Sequence, residues 1–106
     1  MKRDKAAEVF AQLGNPARLE VLRVLIRAGY GGCQVGELQK RVGVPASTLA
    51  FHLRGLVAAG LVDQEKQGRV VRCRPRLDTV NGAIEFLKQE CCLGLGEPVQ
   101  GRSKAA

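Results

Sequence analysis

Four cysteines, Cys33, Cys73, Cys91 and Cys92, are the residues of this chain with the widest chemical scope. Cys91 and Cys92 are adjacent. Two neighbouring thiolates can close on one soft, thiophilic ion, or they can be oxidised. Zinc fits them less well, because it takes four ligands and the only carboxylates nearby are Glu90 and Glu97. Cys91 has a second reading: it continues the series Leu77, Val80, Ile84, Leu87 at helical spacing, which suits a small apolar residue in a helix seam. Cys92, one step round the helix, has no such place, and the adjacent pair favours a chemical role. Cys73 alternates with Val71 in an extended run, which points to burial. Cys33 follows a glycine-rich loop, and its role is left open by the sequence.

The second chemistry-bearing group is basic. Arg69 lies at a Gly68-Arg69 turn, with Lys66, Arg72, Arg74 and Arg76 close by in sequence. Such a tip suits a narrow, electronegative nucleic-acid groove. Upstream, a helix begins after Pro45. If Leu49 faces the core and each residue turns about 100°, then Ser47, Phe51, Arg54 and Gly55 face outward, with Thr48 on the flank. Ser and Thr can bond phosphates or bases, Arg54 can contact a phosphate or a guanine, and Phe51 can touch a thymine methyl. Phe51 could equally be half-covered by the preceding helix. His52, the only histidine, reads as structural.

These residues need elements to hold them. Ala6, Val9, Phe10 and Leu13 make one face of a helix over residues 4–13, which Gly14 stops. Asn15-Pro16 is an N-cap followed by a residue preset for the first helical turn. The helix it opens runs to about Ala28, is apolar on most sides, and should be the central one. Val35, Leu38 and Val42 mark a short helix over 35–42, ended by Gly43. A longer helix follows from Pro45 to Ala59. Short helix, glycine turn and longer helix make a helix-turn-helix. Residues 61–67 and 70–75 read as two strands about Gly68-Arg69, a hairpin wing. Leu77 to Cys92 reads as the last helix. Domain organisation follows: residues 1–92 form one winged helix-turn-helix, mainly α with a small β-hairpin, and 93–106 are expected to be a disordered tail.

The chain has 106 residues, room for one domain. Aromatics are 4%, so the core must be aliphatic and a base-stacking platform is disfavoured. A net charge of +7 on so small a body points to a polyanionic partner. No apolar run is long enough to span a membrane. Met1 to Lys5 is charged and leads into no signal-type core, so a reducing, cytoplasmic setting is expected. A thiol enzyme is disfavoured, since the chain has no Cys-x-x-Cys and no strand–helix alternation.

Asn15-Pro16-x-Arg18-Leu19-x-x-Leu22, Val35-Gly36-Glu37-Leu38, Ser47-Thr48-Leu49-x-Phe51-His52-Leu53, Ala59-Gly60-Leu61-Val62 and Gly68-Arg69 follow in order. Over about residues 6–92 this set resembles the ArsR/SmtB family of winged-helix repressors. The adjacent pair Cys91-Cys92 resembles the arsenic-responsive branch with a C-terminal cysteine pair. The resemblance implies a homodimer built from the first and last helices, double-stranded operator DNA as partner, and no permanently bound cofactor. It also implies an inducer, a trivalent arsenic or antimony species, that releases the DNA. DNA contacts would come from Ser47, Thr48, Phe51, Arg54, Arg69 and Arg72, and the inducer ligands would be Cys91 and Cys92. Some relatives add a third cysteine a few residues on; here 93–98 contain none. A two-thiol site suits methylarsenite, while arsenite or antimonite would be held less tightly unless Cys33 or Cys73 of either subunit supplied a third sulfur. The alternative reading is a thiol-based redox or persulfide sensor on the same DNA-binding fold.

Overall fold

A computed structural model of the chain describes residues 1–97. The order is α1 (Arg3–Leu13), α2 (Pro16–Ala28), β1 (Cys33–Gln34), α3 (Val35–Val42), α4 (Ala46–Ala58), β2 (Val62–Gln67), β3 (Val70–Pro75) and α5 (Leu77–Lys88). Local signals set most of these boundaries. The Asn15 side chain accepts the Arg18 N–H at 3.0 Å, so α2 starts where the cap and Pro16 direct it. Gly43 ends α3 in the left-handed region at φ 75°, donating its N–H to the Gln39 carbonyl at 2.8 Å. Lys5 of α1 donates to the Ala59 carbonyl at 2.7 Å, placing a cation on the C-terminus of α4 and tying the first helix to it.

The core is aliphatic, as expected: Val9, Val21, Leu25, Leu38, Leu49, Leu56, Leu61 and Val62 are fully buried, with Cys73 among them. α2 contributes Val21, Leu22, Val24 and Leu25, although Leu19 and Ile26 on its far side remain exposed. On α1, Ala6 and Val9 of the expected apolar face belong to the core, Leu13 is half-buried, and Phe10 carries the exposed part of that face. Among the described residues, no helix is long and apolar enough to cross a membrane.

The hairpin β2–β3 closes with Gln67 opposite Val70 and with Gly68 at φ 65° in the turn between them. β1 is an addition. It pairs antiparallel with β3, making a sheet of order β1-β3-β2 with Cys33 opposite Cys73 and Gln34 opposite Arg72. Gly32 is required just before it, because a Cβ there would collide with the Cys73 carbonyl. Two residues carry no readable alternation, so β1 is invisible without its partner strand.

The last helix is shorter than its apolar spacing suggests. α5 stops at Lys88, and 89–92 are turn: the Cys91 N–H reaches the Lys88 carbonyl at 3.0 Å, and Glu90 and Cys92 take φ 62° and 66°. Cys91 is therefore exposed on a turn and is not a seam residue of α5. Of the expected seam, Leu77 and Val80 are half-buried, while Ile84 is 46% and Leu87 72% exposed. Residues 93–97 are exposed and irregular; the remainder of the expected tail, 98–106, lies outside the described residues.

Candidate nucleic-acid interface and dithiol site

α4 buries Leu49, His52, Leu53 and Leu56. Ser47, Phe51 and Arg54 are left exposed and Thr48 half-buried, as the helical projection from Leu49 requires. Gly55 does not follow it. The α1–α2 corner covers this position, and a Cβ there would run into the Gln12 side chain.

That corner holds a network the sequence reading missed. Arg18 of α2 donates to Gln12 Oε1 at 2.7 Å and, through Nε, to His52 Nδ1 at 3.3 Å. Its guanidinium carbon lies 5.4 Å from the centre of the Phe51 ring, within cation–π range. Phe51 and His52 meet edge to face at 5.6 Å. One arginine thus orients two consecutive residues of α4 and links them to α1. Phe51 remains 54% exposed, with Arg18 of α2 over one face of its ring. His52 is buried and accepts at Nδ1, a structural role. The available signal was Arg18 itself, a long cation in the first turn of a helix that supplies four core residues.

The wing's basic cluster is sorted by its pairings. Arg74 bonds Glu65 at 2.6 Å across the hairpin. Arg76 bonds Asp63 at 3.3 Å and Asp78 at 3.0 Å, and its hydrogen bond holds the Asp78 carboxyl below the usual carboxylate range. Arg72 donates to the Gly31 carbonyl at 3.1 Å, beyond β1, and so points to the edge away from β2. Among the described residues, Lys66, Arg69 and Arg54 form no ion pair, which leaves their charge available to a polyanion. Arg54 and Arg69 line the same open cleft of about 600 Å3, between α4 and the wing, together with Gln64 and the first residues of α3.

Beyond the end of α5, Cys91 Sγ and Cys92 Sγ lie 2.8 Å apart, both exposed. In a helix, adjacent side chains diverge by about 100°. The turn after Lys88, with two non-glycine residues in the left-handed region, brings the sulfurs together instead, and such strain clusters at ligand clamps. The hydrogen bond to Cys92 raises the Cys91 thiol above its ordinary value. Cys33 and Cys73 are buried in the sheet, and burial is the main reason both thiols are raised. Among the described residues, no three His, Cys, Asp or Glu side chains come together to hold a metal ion.

Comparison with known proteins gives the same arrangement. The helix-turn-helix domain family matches residues 13–65. An uncharacterized HTH-type transcriptional regulator of Methanocaldococcus jannaschii is 37% identical over 67 residues, covering 63% of this chain and 73% of that protein. A Halobacterium salinarum protein, provisionally named an arsenical resistance operon repressor, is 39% identical over 61 residues, 58% of this chain and 50% of its own length. Among solved structures, an ArsR-like transcriptional regulator from Rhodococcus sp. RHA1 superposes with a TM-score of 0.69 at 31% identity, covering 81% of this chain and 78% of that one. With its recognition helix and wing in this arrangement, the chain belongs to the helix-turn-helix family, as a winged-helix transcriptional regulator of the ArsR type.

Proposed function

We propose that the chain is a homodimeric, cytoplasmic repressor that binds operator DNA through α4 and the wing and lets go when a trivalent arsenical or antimonial closes on Cys91 and Cys92. The observation that carries the inducer assignment is the pair of exposed sulfurs at 2.8 Å. The provisional name of the Halobacterium relative supports the same class of inducer. Soft thiolates select soft ions, and two of them satisfy a methylated arsenic, which needs only two.

DNA recognition divides between two surfaces. Ser47, Thr48, Phe51 and Arg54 enter the major groove, where base edges are distinguishable. Arg69 reaches the flanking phosphates or minor groove, while Arg72 joins only if it leaves the Gly31 carbonyl. Arg69→Ala should therefore weaken binding to all sequences without unfolding the domain, and lower the salt slope of the dimer by about 1.8, one phosphate contact from each protomer. An unchanged slope in a salt titration would remove the wing from the interface. By contrast, Ser47→Ala or Arg54→Ala should alter sequence preference, with about 1–3 kcal/mol lost at one base pair if a bidentate contact goes. Equal weakening on every duplex would reduce both residues to backbone contacts.

Cys91 holds its proton more firmly than an ordinary thiol, and each thiol proton leaves as water with one hydroxyl of the arsenical, so the exchange releases no net proton. Release should accordingly need much the same arsenical concentration at about pH 6 as at about pH 8, whereas release by zinc, which must displace thiol protons into solution, should strengthen as pH rises. The decisive experiment measures release from a duplex selected out of a random pool, with methylarsenite, arsenite, antimonite, zinc and peroxide in parallel. Release by peroxide alone would replace the arsenical reading with the redox one.

A further inference from the structure

Cys33 and Cys73 stand directly opposite each other in the antiparallel pair β1–β3. We propose that they form a second, separate thiol site: a cross-strand dithiol that hydrogen peroxide or a related hydroperoxide converts to an intramolecular disulfide, locking β1 to the wing strand.

Opposed residues of antiparallel strands project to the same face, with Cα atoms about 4.5 or 5.5 Å apart. A disulfide accepts about 4.4–6.8 Å. The geometry of the sheet therefore meets the bond's requirement without moving the backbone. Both side chains belong to one buried cluster, and Cys73 is fully enclosed. Whatever joins the two sulfurs must add no atoms, a condition that a disulfide meets and a bridging metalloid does not. Each sulfur has only a long contact: Cys33 to the Gln34 carbonyl at 3.5 Å, and Gln64 to Cys73 at 3.6 Å. Neither contact prevents the two from meeting.

Access comes through Cys33. It lines an open cleft of about 550 Å3 with Arg27, Glu37, Arg41 and Arg72. Arg41 and Arg72 favour its thiolate, while burial and Glu37 oppose it, so reaction is slow and responds to sustained oxidant. The Cys33 thiolate attacks one peroxide oxygen and the O–O bond breaks. Cys33 becomes a sulfenic acid, and the departing hydroxide takes up the thiol proton and leaves as water. Cys73 then attacks the Cys33 sulfur, the S–O bond breaks, and the Cys73 proton leaves with the oxygen as a second water. Two thiols are oxidised and one peroxide is reduced. The new bond closes the chain from β1, which leads into α3, to β3, so the first helix of the helix-turn-helix and the wing become one covalent unit.

The test uses the full chain carrying Cys91→Ser and Cys92→Ser, which removes the exposed pair from the reaction and makes the outcome independent of the arsenical reading. After peroxide treatment, alkylation under denaturing conditions should find no free thiol. The intact mass should fall by two hydrogens and digestion should yield a Cys33–Cys73 linked peptide in a single chain, all reversed by dithiothreitol. The melting temperature of the oxidised form should rise by roughly 10 °C, because the bond restricts the unfolded chain over a long loop. Adding Cys33→Ser should leave Cys73 reduced under the same treatment, because Cys73 has no route to solvent of its own. Two thiols still alkylated after peroxide, a linkage between chains, or Cys73 oxidised as readily without Cys33 would each overturn the proposal.

Discussion

A chain carrying Cys91→Ser and Cys92→Ser together is expected to bind operator with unchanged affinity and to stay bound at methylarsenite concentrations that fully release the unsubstituted chain. Both residues are exposed on the turn after α5, so the substitutions remove no core packing. Release requires that the arsenical favour one arrangement of the dimer over another, since a ligand shifts an equilibrium only by its differential affinity. Drawing the two sulfurs onto one atom reshapes the turn between Lys88 and Leu93. That turn is flanked by Leu87 and Leu93, which are 72% and 76% exposed. If those residues pack across the dimer, a change in the turn repacks the seam, and the two recognition helices lose the spacing of about 34 Å that successive major grooves demand. Cys33→Ser should release normally, and so should Cys73→Ser where it folds. With only two thiols, methylarsenite should act at lower concentration than arsenite. Normal release by the double variant, measured by fluorescence anisotropy, would place the inducer elsewhere.

Leu87→Glu should produce a folded monomer whose operator affinity is lower by about 10²–10⁴-fold, the factor lost when two half-sites are no longer engaged together. Ile84 and Leu87 lie three residues apart on one face of α5, and Phe10 of α1 adds a third exposed apolar side chain. Exposed apolar side chains on neighbouring helices of a small basic domain are candidates for a docking face, and in the proposed homodimer a two-fold contact would cover them with themselves. Because Leu87 is already mostly exposed in the protomer, the charge costs the fold little, and circular dichroism should be unchanged. Sedimentation at micromolar concentration decides the matter: a variant that still sediments as a dimer removes this face from the interface, and an unsubstituted chain that sediments as a monomer removes the dimer.

Much of this was written in short segments of sequence. Asn15-Pro16 opens α2, Gly43 closes α3 and Gly68-Arg69 turns the hairpin, because caps and turns are satisfied by residues within a few positions of one another. The outward row Ser47, Phe51 and Arg54 follows from helical geometry and one buried neighbour, Leu49. Tertiary structure decided the rest. Cys91 fits the apolar period of α5, yet the backbone leaves the helix at Lys88, since side-chain periodicity can persist where the hydrogen-bond ladder has stopped. Gly55 turns inward only because Gln12 of another helix arrives there. Which arginines stay free was settled across the hairpin: Arg74 stands opposite Asp63 but reaches diagonally to Glu65, Arg76 beyond the end of β3 takes Asp63, and Arg69 at the tip is left without an ion pair. The opposition of Cys33 and Cys73, far apart in sequence, exists only once β1 adds to β3. Local composition determines which element a segment can become; what its side chains meet depends on register and packing between segments, and no single segment contains that information.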